Sequence, residues 1–304
     1  MNLLESHSSG DEMSLKAATK DGLIKTYVKA VTSAALGSRS AGRGVTVLPN
    51  DLFLVSYYRS GSTWTRFLLG NLLNPNEPIT FKNVERRVPP IYLWPDRVLR
   101  TLPRIMKSHE CFDPRYPRVL YIVRDPRDVA VSFFYYALKM RIIPDGYAMD
   151  DFVTRFLTAR IVPYANRVGC WQDHALSWIR LRQGKPGFCI ARYEDLQTDP
   201  IREISKWAPL LGVTLTTDAI ERAIKLSSAS NMRSLEEKQS KEWGVTKNSR
   251  QDIRFVRDAK VGGWQQKLSS KAIAAIEDAW GPTITELGYE LTTANRTLNQ
   301  HVLA

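Results

Sequence analysis

Between Leu52 and Leu72 the chain changes character twice, and this stretch limits the folds open to it more than any other. An apolar run from Leu52 to Val55 stops at the small, polar turn Arg59-Ser60-Gly61-Ser62-Thr63. Trp64, Phe67, Leu68 and Leu72 then recur at helical spacing. Strand, tight loop and helix in that order aim loop amides and the positive end of the helix dipole at one point, which favours an anion there. Gly61 permits close backbone approach, Ser62 and Thr63 supply hydroxyl donors, and Arg59 supplies a fixed positive charge. A buried strand leading into an ordinary capped helix is the alternative reading. The segment lacks both the first glycine and the lysine of the G-x-x-x-x-G-K-[ST] nucleotide loop, so it does not point to the β and γ phosphates of ATP.

A second strand-to-helix junction follows. Arg118 to Val123 is β-rich and runs into Arg124-Asp125-Pro126-Arg127-Asp128. Asp125 suits an N-cap, Pro126 the first helical position, and Asp128 the acid of a capping box, with Val129 to Leu138 as the helix. Arg124 at the strand end and Ser132 two turns on are placed to converge on one more anion. The alternative is Arg124 pairing with Asp128 and Ser132 bonding back to its own helix. Far downstream, Phe255 to Trp264 sets an arginine before a glycine-containing turn. Such a turn either folds main-chain amides over an anion or lies as a solvated loop.

The chain has four histidines, and His7 and His301 lie near its ends. His109 follows Arg104-Ile105-Met106-Lys107-Ser108, a short strand running into a loop, and alternation puts Lys107 and His109 on one side. An imidazole titrating near neutral pH suits a general base. His174 falls in a helical pattern between Trp171 and Trp178 and is expected to be a buried, hydrogen-bonded core residue.

Tyr57-Tyr58-Arg59-Ser60-Gly61-Ser62-Thr63-Trp64 resembles the 5′-phosphosulfate loop of the sulfotransferases, commonly Tyr-Pro-Lys/Arg-Ser-Gly-x-Thr-Trp, with Tyr58 in place of the proline. That family transfers a sulfuryl group from 3′-phosphoadenosine 5′-phosphosulfate (PAPS), leaving adenosine 3′,5′-bisphosphate (PAP). Arg124 and Ser132 match the arginine and serine that grip the 3′-phosphate. Lys107-Ser108-His109 is similar to the family's Lys-Thr-His, whose histidine deprotonates the acceptor hydroxyl. Tyr193-Glu194-Asp195-Leu196 before Asp199-Pro200 resembles a motif whose tyrosine contacts the adenine end, with Trp64 as the other adenine neighbour. Phe255 to Trp264 is similar to the closing Arg-Lys-Gly-x-x-Gly-Asp-Trp. It matches at Arg257, Gly262 and Trp264 and departs at Asp258, Ala259 and Gly263.

These motifs stand in family order from Asp51 to Trp264. The resemblance implies donor contacts from Arg59, Ser60, Gly61, Ser62, Thr63, Trp64, Arg124, Ser132, Tyr193, Arg257 and Gly262. It implies His109 as the base of an in-line displacement onto a hydroxyl, with Lys107 and Arg59 stabilising the developing charge. The scheme requires no metal. A small-molecule or nucleoside kinase with a P-loop, or a non-catalytic nucleotide-binding protein, are the other readings. A kinase would want a lysine after Gly61 and an acid to hold Mg²⁺.

The expected fold is α/β: a single domain with a central, mostly parallel sheet flanked by helices and a P-loop-like phosphosulfate-binding loop. Residues 1–20 read as a flexible N-terminal segment, 21–295 as the domain and 296–304 as a tail. Leu23 to Leu36 reads as an amphipathic helix, and Gly37 to Gly44 as a flexible join. Gly187 to Arg192 reads as a strand, Thr214 to Ser227 and Ser269 to Trp280 as helices, and Ser234 to Lys260 as charged and aperiodic. The net charge of +12 suits a polyanionic donor, and its basic residues are scattered, so no nucleic acid partner is expected. No apolar run spans a bilayer, no signal peptide opens the chain, and Cys111, Cys170 and Cys189 show no paired spacing, so a cytoplasmic setting is expected. Tyr92, Trp94, Phe112, Phe133, Phe134, Tyr135, Tyr136 and Tyr164 are candidate pocket walls for a small-molecule acceptor with an apolar or aromatic part.

Overall fold

The computed structural model describes residues 46–91, 104–161 and 168–292. The segment Leu23 to Leu36, the join after it, Tyr92, Trp94, Tyr164 and the outer domain bounds lie outside those residues.

Among the described residues four strands form one sheet: β1 (Leu52–Ser56), β2 (Ile105–Ser108), β3 (Arg118–Val123) and β4 (Phe188–Arg192), in the order β2-β1-β3-β4. Every pairing is parallel, with Leu52 opposite both Ile105 and Arg118, and Val123 opposite Arg192. A parallel strand covered on both faces needs apolar residues in both directions, and β1 supplies them. Phe53 and Val55 enter one core with Val119, Tyr121 and Trp178, while Leu52 and Leu54 enter another with Leu120, Ile122 and Trp207.

Helices α1 (Ser62–Leu73), α2 (Val84–Arg87), α3 (Pro126–Lys139), α4 (Met149–Leu157) and α5 (Trp171–Arg182) precede β4. Helices α6 (Tyr193–Thr198), α7 (Pro200–Ser205), α8 (Ala208–Leu211), α9 (Thr217–Leu226), α10 (Ala229–Gln239) and α11 (Ser270–Glu286) follow it. A 3₁₀ turn, Gly263–Gln266, lies before α11. Two N-caps act as the sequence indicates: Asp125 accepts from the amide of Arg127 and Asp199 from that of Arg202.

Two elements depart from expectation. Helix α10 occupies the first part of the stretch read as aperiodic. Its inward face carries Met232 and Glu236 rather than a row of apolar residues. Helix α11 continues past Trp280 through Gly281 and Pro282. Thr283 and Ile284 are buried beyond the proline, and the Gln172 amide donates to the Thr283 hydroxyl at 3.0 Å. Packing of this last turn outweighs the lost backbone bond.

The carboxyl ends of all four strands open toward one region. Order 2-1-3-4 places the reversal of strand sequence between β1 and β3, where open α/β sheets form their ligand crevice.

Candidate active site

The loop after β1 turns twice through left-handed backbone, at Arg59 (φ 62°) and Gly61 (φ 103°). Position 61 is glycine for two reasons. Its φ disfavours a side chain, and a Cβ there would lie 2.7 Å from Cδ2 of Tyr193. The amide of Thr65 closes the first turn of α1 on the Gly61 carbonyl at 3.0 Å, and no side chain caps this helix. Its leading N–H groups therefore face a cavity of about 670 Å³, walled by Gly61, Ser62, Thr63 and Trp64 on this side.

Strands β2, β3 and β4 deliver the remaining groups to the same cavity: Lys107 and His109, then Arg124, then Tyr193. Trp64 meets Tyr193 edge to face, with ring centroids 5.4 Å apart. The Arg124 guanidinium sits 4.1 Å over the Tyr193 ring and donates to the Lys260 carbonyl at 2.9 Å. Arg257 and Ser132 also line the wall. Two of the expected residues do not. Ser60 is fully buried behind the loop, and Gly262 stands outside the wall with its amide given to Asp128 at 2.8 Å.

Asp128 corrects a local expectation. It does not complete a capping box on α3, because the Asp125 amide donates instead to Glu194 at 3.1 Å. The Asp128 carboxylate accepts from the amides of Gly262 and Trp264, at 2.8 and 3.1 Å, and lies 3.6 Å from Arg124. It thus ties the closing turn to the helix that follows Arg124. Ser132 does not bond back to its own helix; its hydroxyl accepts from Nε of Arg59 at 3.2 Å.

Arg59 is enclosed by what it touches. Its guanidinium lies 4.5 Å over the Phe255 ring and 4.9 Å over that of Tyr136, and it donates to the Phe255 carbonyl at 3.4 Å. Burial lowers its pKa to about 10, which leaves it charged at neutral pH. Lys107 lines the cavity half-buried, and desolvation there, with Arg66 nearby, brings its ammonium down to about 7.

His109 stands one residue beyond β2 with its Nδ1 2.6 Å from the Ser56 carbonyl. A carbonyl only accepts, so Nδ1 carries the proton and Nε2 is the basic nitrogen. Burial, and next the Lys107 charge, hold this imidazole well below its usual range, so it is neutral near pH 7. His174 is fully buried, its Nδ1 3.0 Å from the Tyr121 hydroxyl, and burial lowers it to about 3.

Of the aromatic residues expected as acceptor walls, Phe133 and Tyr136 line the cavity. Phe112 packs on Trp178, Phe134 on Phe152, and Tyr135 beneath the Arg257 guanidinium. Sequence reading missed Arg66 and Glu85, which line the cavity as a pair 3.1 Å apart. Neither sits in a motif, and only the fold of α1 against α2 joins them.

Residues 49–288 match the sulfotransferase domain family. Over 203 residues the chain is 29% identical to sulfotransferase 2B1 of Mus musculus, covering 62% of this chain and 57% of that protein's length. Over 238 residues it is 26% identical to sulfotransferase 1E1 of Bos taurus, covering 73% and 79%. The fold is similar to a retinol dehydratase solved with androsterone and inactive cofactor PAP, with TM-score 0.66 and 19% identity over 84% of this chain and 87% of that one. It is also similar to a mouse sulfotransferase complexed with PAP, with TM-score 0.63 and 22% identity over 88% and 92%.

Proposed function

Because this chain belongs to the sulfotransferase domain family, we propose that it moves a sulfuryl group from PAPS to a hydroxyl of a small-molecule acceptor, with His109 as base. The observation that carries the reading is the meeting, in one cavity, of the uncapped start of α1, four arginines (Arg59, Arg66, Arg124 and Arg257) and a histidine whose Nδ1 faces a carbonyl.

The residues fit such a donor. A volume of about 670 Å³ falls within the range of small-molecule sites. Ser62, Thr63 and the leading amides of α1 suit the 5′ end, Arg124, Ser132 and Arg257 the 3′-phosphate, and Trp64 with Tyr193 the adenine. Asp128 holds the amide of Gly262, so we assign Gly262 to shaping the closing turn rather than to direct contact. The enclosed Ser60 likewise supports the loop from behind.

When bound, PAPS supplies an activated sulfuryl group on a phosphate leaving group. His109 keeps its Nδ1 proton against Ser56 and takes the acceptor hydroxyl's proton at Nε2. Lys107 and Arg59 hold positive charge where oxygen charge develops, and groups of this kind are worth about 2.7–4 kcal/mol of barrier each. This step calls for no metal. Phe133 and Tyr136 offer an apolar wall, which favours an acceptor with an apolar or aromatic part. Among the described residues no helix is long and apolar enough to cross a membrane, and a cytoplasmic setting is our reading.

Thermal stabilisation by PAP without Mg²⁺, compared with ATP, ADP and AMP, tests the donor assignment. PAP at a hundred times its Kd should add about 2.7 kcal/mol. A shift seen only with ATP and Mg²⁺ would turn the reading to a kinase.

A further inference from the structure

We propose that Arg233 and Glu236 are positioning residues for the nucleotide donor, acting through the main chain of residues 255–258. The inference rests on the reading of the cavity as a PAPS site.

Residues 255–260 roof that cavity, and the stretch has no regular secondary structure of its own. Two side chains of α10, three positions apart and so on one face, grip it. Glu236 accepts from two successive amides, Phe255 at 2.5 Å and Val256 at 2.8 Å, one on each carboxylate oxygen. Arg233 donates to three successive carbonyls: Val256 at 3.3 Å, Arg257 at 3.0 and 2.6 Å, and Asp258 at 3.2 Å. Lys139, buried at the end of α3, extends the grip by donating to the carbonyls of Arg250 and Ile253 at 2.8 and 2.7 Å, with Glu236 3.9 Å away.

A carboxylate matched to two amides, and a planar guanidinium fork matched to a run of carbonyls, fix a backbone far more narrowly than apolar packing does. What they fix is where Phe255 and Arg257 project. Phe255 receives the Arg59 guanidinium on its ring, and Arg257 faces the cavity over Tyr135. Helix α10 itself contributes Ala229 and Met232 to the wall, so clamp and roof form one unit with the helix. Holding a binding segment in its bound shape before the ligand arrives raises affinity by removing the ordering cost from the binding step.

The test is to make Glu236→Gln, Arg233→Ala and Arg233→Lys in the full chain. For each, the unliganded melting temperature, the Kd for PAP by calorimetry, and the kinetics of transfer from PAPS to a simple phenol are measured. We expect Kd for PAP and KM for PAPS to rise together at least tenfold in Glu236→Gln and Arg233→Ala. At saturating PAPS, kcat should stay within threefold, and Arg233→Lys should recover part of the lost affinity. Folded variants that bind PAP within twofold of wild type overturn the proposal. So does a variant that melts early while its folded fraction keeps wild-type affinity, since the pair is then structural only. A wild-type chain that fails to bind PAP overturns the donor reading itself, and the clamp's role falls with it.

Discussion

Nδ1 of His109 donates to the carbonyl of Ser56 at 2.6 Å, and this one bond decides which ring nitrogen can act as a base. The bond joins the end of β2 to the end of β1, so sheet register and the tautomer of this imidazole have a common origin. His109→Ala should leave PAP binding near wild type and lower kcat by about 10²- to 10⁴-fold. A rate close to wild type would remove His109 from the mechanism.

The pH profile follows from two displaced groups. Burial and the Lys107 charge push His109 well below 6.5, so its neutral form persists as pH falls through 6.5 and the acid side of kcat/KM stays flat there. Lys107, brought down to about 7 by desolvation, loses its charge as pH rises, so kcat/KM for PAPS should decline above about 7. Lys107→Arg, which stays charged, should abolish that decline. An alkaline limb that survives in this variant would show that another group titrates.

Arg124→Ala removes a guanidinium that faces the cavity, covers Tyr193 and bonds the Lys260 carbonyl. Charge-assisted bonds contribute about 1.5–3 kcal/mol each, so Kd for PAP should rise on the order of 10- to 100-fold. The melting temperature should move little, because the Asp128 carboxylate left behind keeps its two amide donors. Equal damage to stability and binding would make Arg124 a structural residue.

Gly61→Ala sets a methyl group 2.7 Å from Cδ2 of Tyr193 at a φ of 103°. The backbone cost alone is about 1–2 kcal/mol, and relieving the contact displaces the Tyr193 ring. Loss of PAP affinity should therefore exceed loss of stability. Calorimetry showing undiminished affinity would mean that the loop adapts without cost.

Ala259 adopts φ 52° at the position where the resembling motif carries glycine. Ala259→Gly should relieve about 1–2 kcal/mol of left-handed strain against about 0.4–1 kcal/mol of added freedom in the unfolded chain. The variant should melt at the same temperature or slightly above it. A clear drop on a melting scan would show that the alanine methyl packs usefully.

The parts of this site that were legible in the sequence are those written within a few residues of one another. The β1 loop, the Asp125-Pro126 start of α3 and the Asp199-Pro200 start of α7 each carry their own punctuation, and each folds as read. Asp128 shows where such reading stops. Its spacing fits a local cap, and Arg124 four positions back does pair with it, yet the amides it accepts from lie 134 and 136 positions away, and no neighbouring residue reports them. Helix α10 was hidden for another reason. The groups it turns inward include Glu236, whose role is hydrogen bonding, so a search for apolar periodicity passes over it. Arg66 and Glu85 belong to the same class: charged residues given meaning only by the elements that bring them together.

The site's floor and roof are far apart in order of synthesis. Arg59 and the Phe255 carbonyl it touches are separated by 196 positions. At about 5–20 residues per second, a ribosome finishes the loop after β1 on the order of 10–40 s before it reaches the segment that closes over it. During that interval the chain adds Lys107, His109, Arg124 and Tyr193 to the cavity wall, and Arg257 arrives only with the roof. The cavity wall is therefore complete only when nearly all of the described chain has been made.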